Sequence, residues 1–562
     1  MVRLPSTTML IAIAAGVALV SGAWGWAAQA EALRLTPLDV AFRALGGVLL
    51  LWFYPDSDGA FHDWRIELAR FATVALFALI ATKAVAALLQ RQLAERAARR
   101  ASGHLLVLGD HPLARATAEA ASAAGERAVW LTDGTGPAPD LPHVTIVRRP
   151  HDAAQLSRLA PADARRALVA FADEVRQLAV ARELRRQAPD LPILVNMDDA
   201  WLGERLDELE QLRGVRVVSE LAEAVRALHW RRPPFEIARA LGHQRLHALI
   251  LGFGEAGEAV LSDLLLSQAT SFLGLPRVTI VDPRAEEIRA GLAQRRPELG
   301  ESAEIDVLDP GQWRDERLLP REALVAAASI APFTAAWVCL TPDRRALGAS
   351  LALAALARRE VWRMGAVHAL VRTPGALPPD TPGDLAAELA DPAGPRVIPF
   401  GTVEDFARSL QLFEPDPERL AAFLHDAYRA AAPADAPGNR PWAELSEEQR
   451  DSNRRQLAHL PAKLASIGVD WNAWLRGTPL VLPDLDARPD LLDRLAELEH
   501  ARWSVERRLN GWRHGPVRDA ARRTHPGLAP WSSAPEEVRM LDRVLVRAAL
   551  EAFARSGQGL RP

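Results

Sequence analysis

Residues 4–30, LPSTTMLIAIAAGVALVSGAWGWAAQA, contain no charged side chain. About 20 apolar residues suffice to cross a bilayer as a helix, so this run limits the chain more than any other feature. With Arg3 ahead of it and AAQA at its end, the run also has the outline of a cleavable leader. Its length and a second apolar stretch at about 66–90 favour a retained helix. Phe71–Thr82 of that stretch is uncharged, and Arg70 and Lys83 at its margins can snorkel from a helix of about 68–89. Arg91, Arg96, Arg99 and Arg100 follow at once, whereas Asp56, Asp58, Asp63 and Glu67 precede it. The positive-inside bias then places everything after residue 90 in the cytosol, with the hairpin in the inner membrane of the cell.

Between the two spans lies TPLDVAFRALGGVLLLWFYPDSDG, residues 36–59. It opens on a helix-capping pattern, turns apolar and stops at a Pro/Asp/Gly turn, as a half-membrane helix leading into a pore turn would. Asp56 and Asp58 at that turn, repeated around an oligomer, would ring a pore mouth with carboxylates that attract cations. An exposed polar turn is the alternative. The segment holds no Thr-Val-Gly-Tyr-Gly filter, so nothing in it indicates potassium selectivity.

At 562 residues the chain needs several cores. Its net charge of −4 gives no electrostatic argument for a nucleic-acid partner. The single cysteine, Cys339, excludes an intramolecular disulfide and a cysteine-rich metal site, and its apolar setting, AAWVCLTP, marks a buried thiol.

After residue 100 the pattern changes to apolar strands alternating with helical stretches, which means a parallel sheet built from βαβ units. In a first region, 101–232, HLLVLGD and RAVWLTD are followed by VTIVRRP, ALVAFAD, PILVNMDD and VRVVSEL. Its phosphate turn keeps only the first glycine, Gly109, and puts His111 where backbone would approach a pyrophosphate. This reads as a structural or dimerising sheet ahead of a nucleotide site. The second region, 244–412, carries Gly252-Phe-Gly254-Glu255-Ala-Gly257 between a strand and a helix. That is the context in which G-x-G-x-x-G binds a dinucleotide: one glycine for the turn, one for the phosphate, one for helix packing. Asp282 ends the next strand, RVTIVDP, where it can accept from ribose hydroxyls. AAWVCLTP, AVHALVRTP and RVIPFG supply further strands, so Thr341, Asp343 and Arg372 fall at the same carboxyl edge, the ligand side of such sheets. Glu255 opposes phosphate binding by its charge.

A two-span hairpin, a short basic linker and two such Rossmann-type units resemble ion channels of the RCK (TrkA-N) class over about residues 8–412. The resemblance implies a ring of cytosolic units whose ligand, NAD(H) or another adenine nucleotide, alters strain on the pore-lining helix.

The last region, 415–562, is helical in pattern and repeats itself. Pro441-Trp442-x4-Glu447-Glu448-x-Arg450-x3-Arg454 returns without gaps as Pro530-Trp531-x4-Glu536-Glu537-x-Arg539-x3-Arg543. Upstream, Leu420-Ala421-x3-His425-x2-Tyr428 matches Leu495-Ala496-x3-His500-x2-Trp503. Shared Trp and His at such spacings indicate a duplicated helical hairpin, with copies at about 416–468 and 491–550. The second copy, with His500-x2-Trp503-x3-Arg507, Gly511-Trp512-x2-Gly515, Asp519, His525-Pro526 and Pro530-Trp531, is similar to the ryanodine-receptor-type (RyR) repeat. The resemblance implies a small helical module that binds small molecules. His500, Trp503, Arg507, Trp512 and Trp531 then make a candidate pocket for a purine and phosphate. Trp512 and Trp531 are expected to be mainly structural, with an arginine or His500 facing the ligand.

The expected fold is therefore multidomain α/β: a transmembrane helical hairpin, two doubly wound parallel sheets and a helical RyR-type repeat module. The expected function is a non-enzymatic, ligand-gated, channel-like membrane protein that senses a nucleotide-like small molecule and assembles as a homo-oligomer, with no nucleic-acid partner and no metal. The alternatives are a membrane-anchored NAD-dependent oxidoreductase, for which His368 is the modest proton-transfer candidate, and a non-conducting regulatory scaffold.

Overall fold

The structure, a computed structural model, describes residues 7–48, 63–134, 139–148, 156–197, 210–212, 215–311, 319–373, 388–389, 394–403, 417–434, 436, 438–470, 473 and 481–556. Asp56 and Asp58 lie outside the described residues. The chain divides into two compact units, Met1–Arg100 and Ala101–Pro562.

The first unit is three helices: α1 (Thr7–Ala28), α2 (Pro37–Val48) and α3 (Trp64–Arg99). Met9–Ala28 and Trp64–Val85 are long and apolar enough to cross a membrane. Glycines let α1 approach α3 closely: a Cβ on Gly25 would stand 2.6 Å from Ile66 Cγ1, and one on Gly22 3.5 Å from Ala69 Cβ. Outward, Phe71, Val74, Phe77 and Ile80 of α3 are exposed apolar groups. Asp39 and Thr36 cap α2 reciprocally, with Thr36 N donating to Asp39 Oδ2 (2.9 Å) and Asp39 N to Thr36 Oγ1 (3.2 Å). Val40 packs on the fully buried Trp26, and Ala44 Cα would lie 3.7 Å from a Cβ on Gly22. Residue numbers rise along α2 as they fall along α1, so α2 runs back beside α1. Its 12 residues span about 18 Å, little more than half a hydrocarbon core of about 30 Å. The helix of α3 does not stop at the basic segment but carries Arg91, Arg96 and Arg99 on to its end.

The second unit contains two six-stranded parallel sheets of identical order. The first runs β3-β2-β1-β4-β5-β6, where β1 is His104–Leu108, β2 Ala128–Thr132, β3 Val144–Arg148, β4 Ala164–Val169, β5 Ile193–Asn196 and β6 Val215–Val218. The second runs β12-β11-β10-β7-β8-β9, where β7 is Arg245–Leu251, β8 Gly274–Val281, β9 Glu304–Leu308, β10 Ala335–Val338, β11 Ala366–Leu370 and β12 Arg396–Phe400. In each, the chain reverses direction across the sheet after its third strand, which leaves a crevice at the carboxyl ends of the first and fourth. The covering helices are α4 (Pro112–Ala123), α5 (Glu174–Gln187), α6 (Glu220–Arg231), α7 (Pro234–Leu241), α8 (Glu255–Ser267), α9 (Ala285–Arg295), α10 (Arg321–Ile330) and α11 (Asp343–Arg359). Strand β9 has no counterpart in the sequence reading. It is a sheet edge whose Glu304 pairs with Arg277 (2.7 Å) and Arg245 (2.8 Å) and whose Asp306 pairs with Arg277, so charge masks its apolar residues.

Helix α6 belongs to both sheets. It follows the last strand of the first, yet Leu221, Val225 and Leu228 are buried in the core of the second with Leu261, Leu264 and Trp337. His229 Nδ1 meets Asp263 Oδ2 of α8 at 2.5 Å. In return Val403, just past β12, packs into the core of the first sheet beside Leu194 and Val218.

The C-terminal helices are α12 (Pro417–Ala431), α13 (Glu447–Ala458), α14 (Leu460–Ser466), α15 (Pro489–Leu509) and α16 (Glu536–Ser556), with a small pairing of β13 (Arg513–His514) and β14 (Thr524–His525). The duplication is visible in detail. His425 Nε2 donates to Arg440 O (2.6 Å) and His500 Nε2 to Ala529 O (2.8 Å), each the carbonyl ahead of the Pro-Trp pair. Pro441 and Pro530 have nearly the same backbone angles (φ −53, ψ 148 and φ −54, ψ 147), and each opens a single 3-10 turn. The bond is kept although His500 and Pro530 are 30 positions apart against 16 for His425 and Pro441. The extra length is the segment holding Gly511, Trp512, β13 and β14.

The two copies are tied by buried ions. Lys463 Nζ lies 2.5 Å from Glu499 Oε2, and Arg502 bridges Glu499 (2.7 Å) and Glu506 (2.5 Å). Burial alone would raise the Glu499 carboxyl, but Arg502 and Lys463 hold it at about 2. Glu499→Gln leaves two buried cations short of a counter-charge, so it is expected to destabilise the full chain by about 3–5 kcal/mol. Denaturant unfolding in detergent measures this, and Lys463→Met combined with Glu499→Leu is expected to recover most of the loss.

Candidate ligand sites

The glycine turn between β7 and α8 is built as its spacing requires. Gly252 has φ +88, and a Cβ there would stand 2.8 Å from Leu340 Cδ2. A Cβ on Gly257 would lie 2.5 Å from Gly252 O, so only glycine lets α8 rest on the strand end. Gly254 caps α8, is exposed, and faces open space where its Cβ would be. The amino end of α8, with its positive dipole end, therefore opens beside Gly254 on a surface that suits an anion. Glu255 is exposed in the first turn.

Asp282 stands beside this turn, buried, and is held by the chain itself. Its Oδ2 accepts from Phe253 N (2.8 Å) and its Oδ1 from Arg284 N (2.8 Å). Arg284 also reaches Asp282 Oδ1 (3.2 Å) and donates to Phe253 O (2.9 Å). Burial would raise the Asp282 carboxyl, but the hydrogen bonds from Phe253 and Arg284 and the guanidinium charge lower it. The two oxygens already accept four hydrogen bonds, from Phe253 N and from the backbone and guanidinium of Arg284, so a ribose hydroxyl would take the place of the Arg284 side chain, an exposed cation at the same edge that the sequence reading did not single out.

Thr341 and Asp343 follow β10, with Thr341 exposed and Asp343 opening α11. Asp343 accepts from Arg372 N (3.1 Å) and Thr373 N (2.8 Å), which fixes the chain after β11. The side chain of Arg372 points away from this group: its Nη2 donates to Glu220 Oε2 at 2.7 Å. The structure thus brings Gly252, Gly254, Gly257 and Asp282 together, places Thr341 and Asp343 at the same edge, and engages Arg372 with the first sheet. His368 is fully buried in β11, its ring 5.2 Å from that of Trp337, and burial holds it well below the ordinary histidine range. It is therefore removed from the ligand edge. Cys339 is buried, which pushes its thiol up. Among the described residues no group of His, Cys, Asp and Glu is arranged to hold a metal ion.

In the second helical copy the aromatic residues do assemble. Trp503 and His525 pack edge to face (5.0 Å), Trp512 and His525 likewise (6.3 Å), and the Arg507 guanidinium lies 5.6 Å from the Trp512 ring and 5.9 Å from that of Trp503. Arg518 lies 5.9 Å from Trp512 on another side. Trp512 is buried, and Trp531 is half-buried with its ring 5.6 Å from His500. His500 does not face outward as expected. It is buried, with Nε2 bound to Ala529 O and Nδ1 3.3 Å from Asp542, so it holds the fold.

The first copy also contributes. Arg507 Nη1 pairs with Glu448 Oε1 of α13 (2.9 Å), and half-buried Tyr428 of α12 feels the charges of Arg507 and Arg518. The sequence reading did not place Tyr428 and Glu448 near this aromatic group, though the repeat itself pointed to Tyr428 as the counterpart of Trp503.

The module is seated on the second sheet. Val505 and Leu509 of α15 are buried in that sheet's core. Arg296 donates to Leu509 O (3.1 Å) and pairs with Glu258 of α8 (2.6 Å), and Arg508 donates to Ser302 Oγ (3.1 Å).

Residues 486–561 match the model of the RyR domain family. Among solved structures the chain is similar to GsuK bound to ADP, with a TM-score of 0.32 and 15% identity over 72% of this chain and 95% of that one. A GsuK channel bound to NAD matches with a TM-score of 0.35 and 14% identity over 75% and 84%. The GsuK RCK domain matches with a TM-score of 0.34 and 15% identity over 58% and 79%.

His525 gives this aromatic group a pH signature. Burial, then the charges of Arg507 and Arg518, hold its ring down to about 4 from 6.5. Its Nδ1 accepts from Gly527 N (2.9 Å), which protonation at that atom forbids. Stability from the neutral ring is present above about pH 6.5 and is lost as pH falls through about 4. The melting temperature of the wild-type chain is expected to fall more between these limits than that of His525→Phe.

Proposed function

We propose that this chain is a ligand-gated, channel-like membrane protein whose cytosolic part senses a nucleotide-like ligand and biases the membrane hairpin. One observation carries the channel-like part: α2 returns antiparallel beside α1 through Val40–Trp26 and Ala44–Gly22 and extends about half a bilayer. A hairpin that serves only as an anchor has no need of a half-span helix. Two spans per chain enclose no pore alone, so the reading requires a symmetric homo-oligomer. The Arg-rich end of α3 sets the second unit on the cytosolic side of the inner membrane.

The sensing part rests on the open amino end of α8 next to Asp282 and Arg284, suited to an adenine nucleotide such as NAD(H), and on the aromatic and cationic group around Arg507. We take the functional divisions as 1–100 for the hairpin, 101–232 and 244–412 for the two sheets and 415–562 for the helical copies. A ligand gates only if it binds one hairpin conformation better than the other. We read the chemistry offered at both places as binding.

Thermal shifts of the detergent-solubilised chain with NAD, NADH, ATP, ADP and cyclic nucleotides test the sensing. A ligand at 100 times its Kd stabilises by about 2.7 kcal/mol. Gly254→Asp, which sets a carboxylate at the amino end of α8, is expected to abolish the shift of a ligand bound at the glycine turn. Arg507→Ala is expected to abolish that of a ligand bound in the aromatic group. Currents across planar bilayers that depend on the same ligand are the expected gating readout. Ligand shifts without current in any condition would leave a non-conducting regulatory scaffold.

A further inference from the structure

Glu220 is the first residue of α6, and its side chain is only 4% exposed. Its carboxylate lies over the carboxyl ends of the first sheet. Oε1 is 3.2 Å from His111 Nδ1, just after β1, and accepts from Asn196 Nδ2 at the end of β5 (3.4 Å). This is the reversal crevice of that sheet, where a nucleotide would bind if the turn at Gly109 were open. The turn is not open: His111 stands where the second sheet has Gly254, and its side chain caps α4 and lies against Glu220. The crevice is instead filled by the chain's own carboxylate. Its cationic partner, Arg372 at 2.7 Å, comes from the ligand edge of the other sheet.

Arg372 is placed to serve two anions. Its backbone is pinned by Asp343, while its side chain is 38% exposed and donates to Glu220 through Nη2. Strand β11 is separated from β7 by β10 alone. Two strand spacings make about 10 Å, within the reach of a ligand that puts one phosphate on Gly254 and continues along the carboxyl edge.

We propose that Arg372 is a latch between the two sheets, which a dinucleotide or nucleoside polyphosphate bound at the glycine turn takes over from Glu220. This rests on the nucleotide reading above. When Arg372 turns to the ligand, Glu220 keeps Asn196 as donor beside a His111 Nδ1 that accepts from Leu113 N, and a buried carboxylate short of its counter-charge is unstable where it stands. The start of α6 and the turn after β1 then loosen. β1 is the strand joined through residues 101–103 to the end of α3, so the release falls on the sheet that continues the membrane helix.

Hydrogen exchange of the full chain in detergent, with and without NAD as the probe, tests this, paired with NAD affinities of the wild type, Glu220→Gln and Arg372→Gln. The expected result is protection of 252–258 by NAD together with faster exchange in 109–113 and 215–222. Glu220→Gln is expected to show the fast exchange without NAD and to bind NAD about 3- to 10-fold tighter, since the ligand no longer competes for Arg372. Arg372→Gln is expected to show the same fast exchange but weaker NAD binding, and it carries the exchange arm if Glu220→Gln does not fold. Protection at 252–258 with no change at 109–113 and 215–222 overturns the latch and leaves the nucleotide reading standing. An unchanged or weaker NAD affinity of a folded Glu220→Gln does the same. No protection at 252–258 overturns the nucleotide reading, and the latch with it.

Discussion

The architecture of the second unit depends on one shared helix. α6 completes the first sheet in sequence, yet buries Leu221, Val225 and Leu228 in the core of the second. Each such side chain contributes roughly 1.5–3 kcal/mol when fully removed from water, so the two sheets cannot part without exposing a core. The ends of α6 are fixed by charge as well: Glu220 to Arg372 at one end and His229 to Asp263 at the other. Burial would raise the Asp263 carboxyl, but the hydrogen bond and charge of His229 and the charge of Arg226 lower it, so the carboxylate is held inside the interface. Apolar burial supplies the strength of this joint, and the ion pairs at its ends set its register.

The helical module extends the same logic. α15 is the first helix of the second copy, but Val505 and Leu509 make it a layer of the second sheet. Arg296 joins the carboxyl end of α15 to Glu258 in the first turns of α8. Both candidate ligand places therefore border one helix: the glycine turn opens on the amino end of α8, and Arg507 lies on the helix that α8 supports. The duplicated hairpin brings Glu448 of one copy to Arg507 of the other, which explains why the first copy keeps its tail pattern without the Gly-Trp-x2-Gly segment.

The sequence made those features legible whose cause is local. Buried parallel strands are continuous apolar runs, and eleven of the twelve were readable as such. β9 was not, because Glu304 and Asp306 interrupt its pattern to meet Arg277 from the neighbouring strand. The glycine turn was readable because its geometry is set by absent side chains. The repeat was readable because Trp and His are rare enough for coincidence to be excluded by spacing. Arg372, His500 and Glu220 were not readable in their actual roles, since each depends on a partner brought up by the fold. Arg372 turns to an acid 152 positions away, and His500 to a carbonyl 29 positions away. Arg284 was within reach of sequence reasoning, two residues past the strand-terminal acid it covers.

These placements order the possible routes of coupling. The second sheet carries the open turn, the module rests on that sheet, and the first sheet follows α3 in sequence. A ligand at α8 that influences the first sheet acts across the interface the two sheets share. Three of the joints on that route are the His229–Asp263 pair, the apolar face of α6 and the Glu220–Arg372 pair. The first two lie inside a packed core and resist graded movement, because tightly packed interfaces shift between discrete arrangements or not at all. The third is different: one partner is buried and fixed, the other half-exposed and long. Of the three it is the joint a ligand can change without unfolding the interface, and it stands at the ligand edge of both sheets at once.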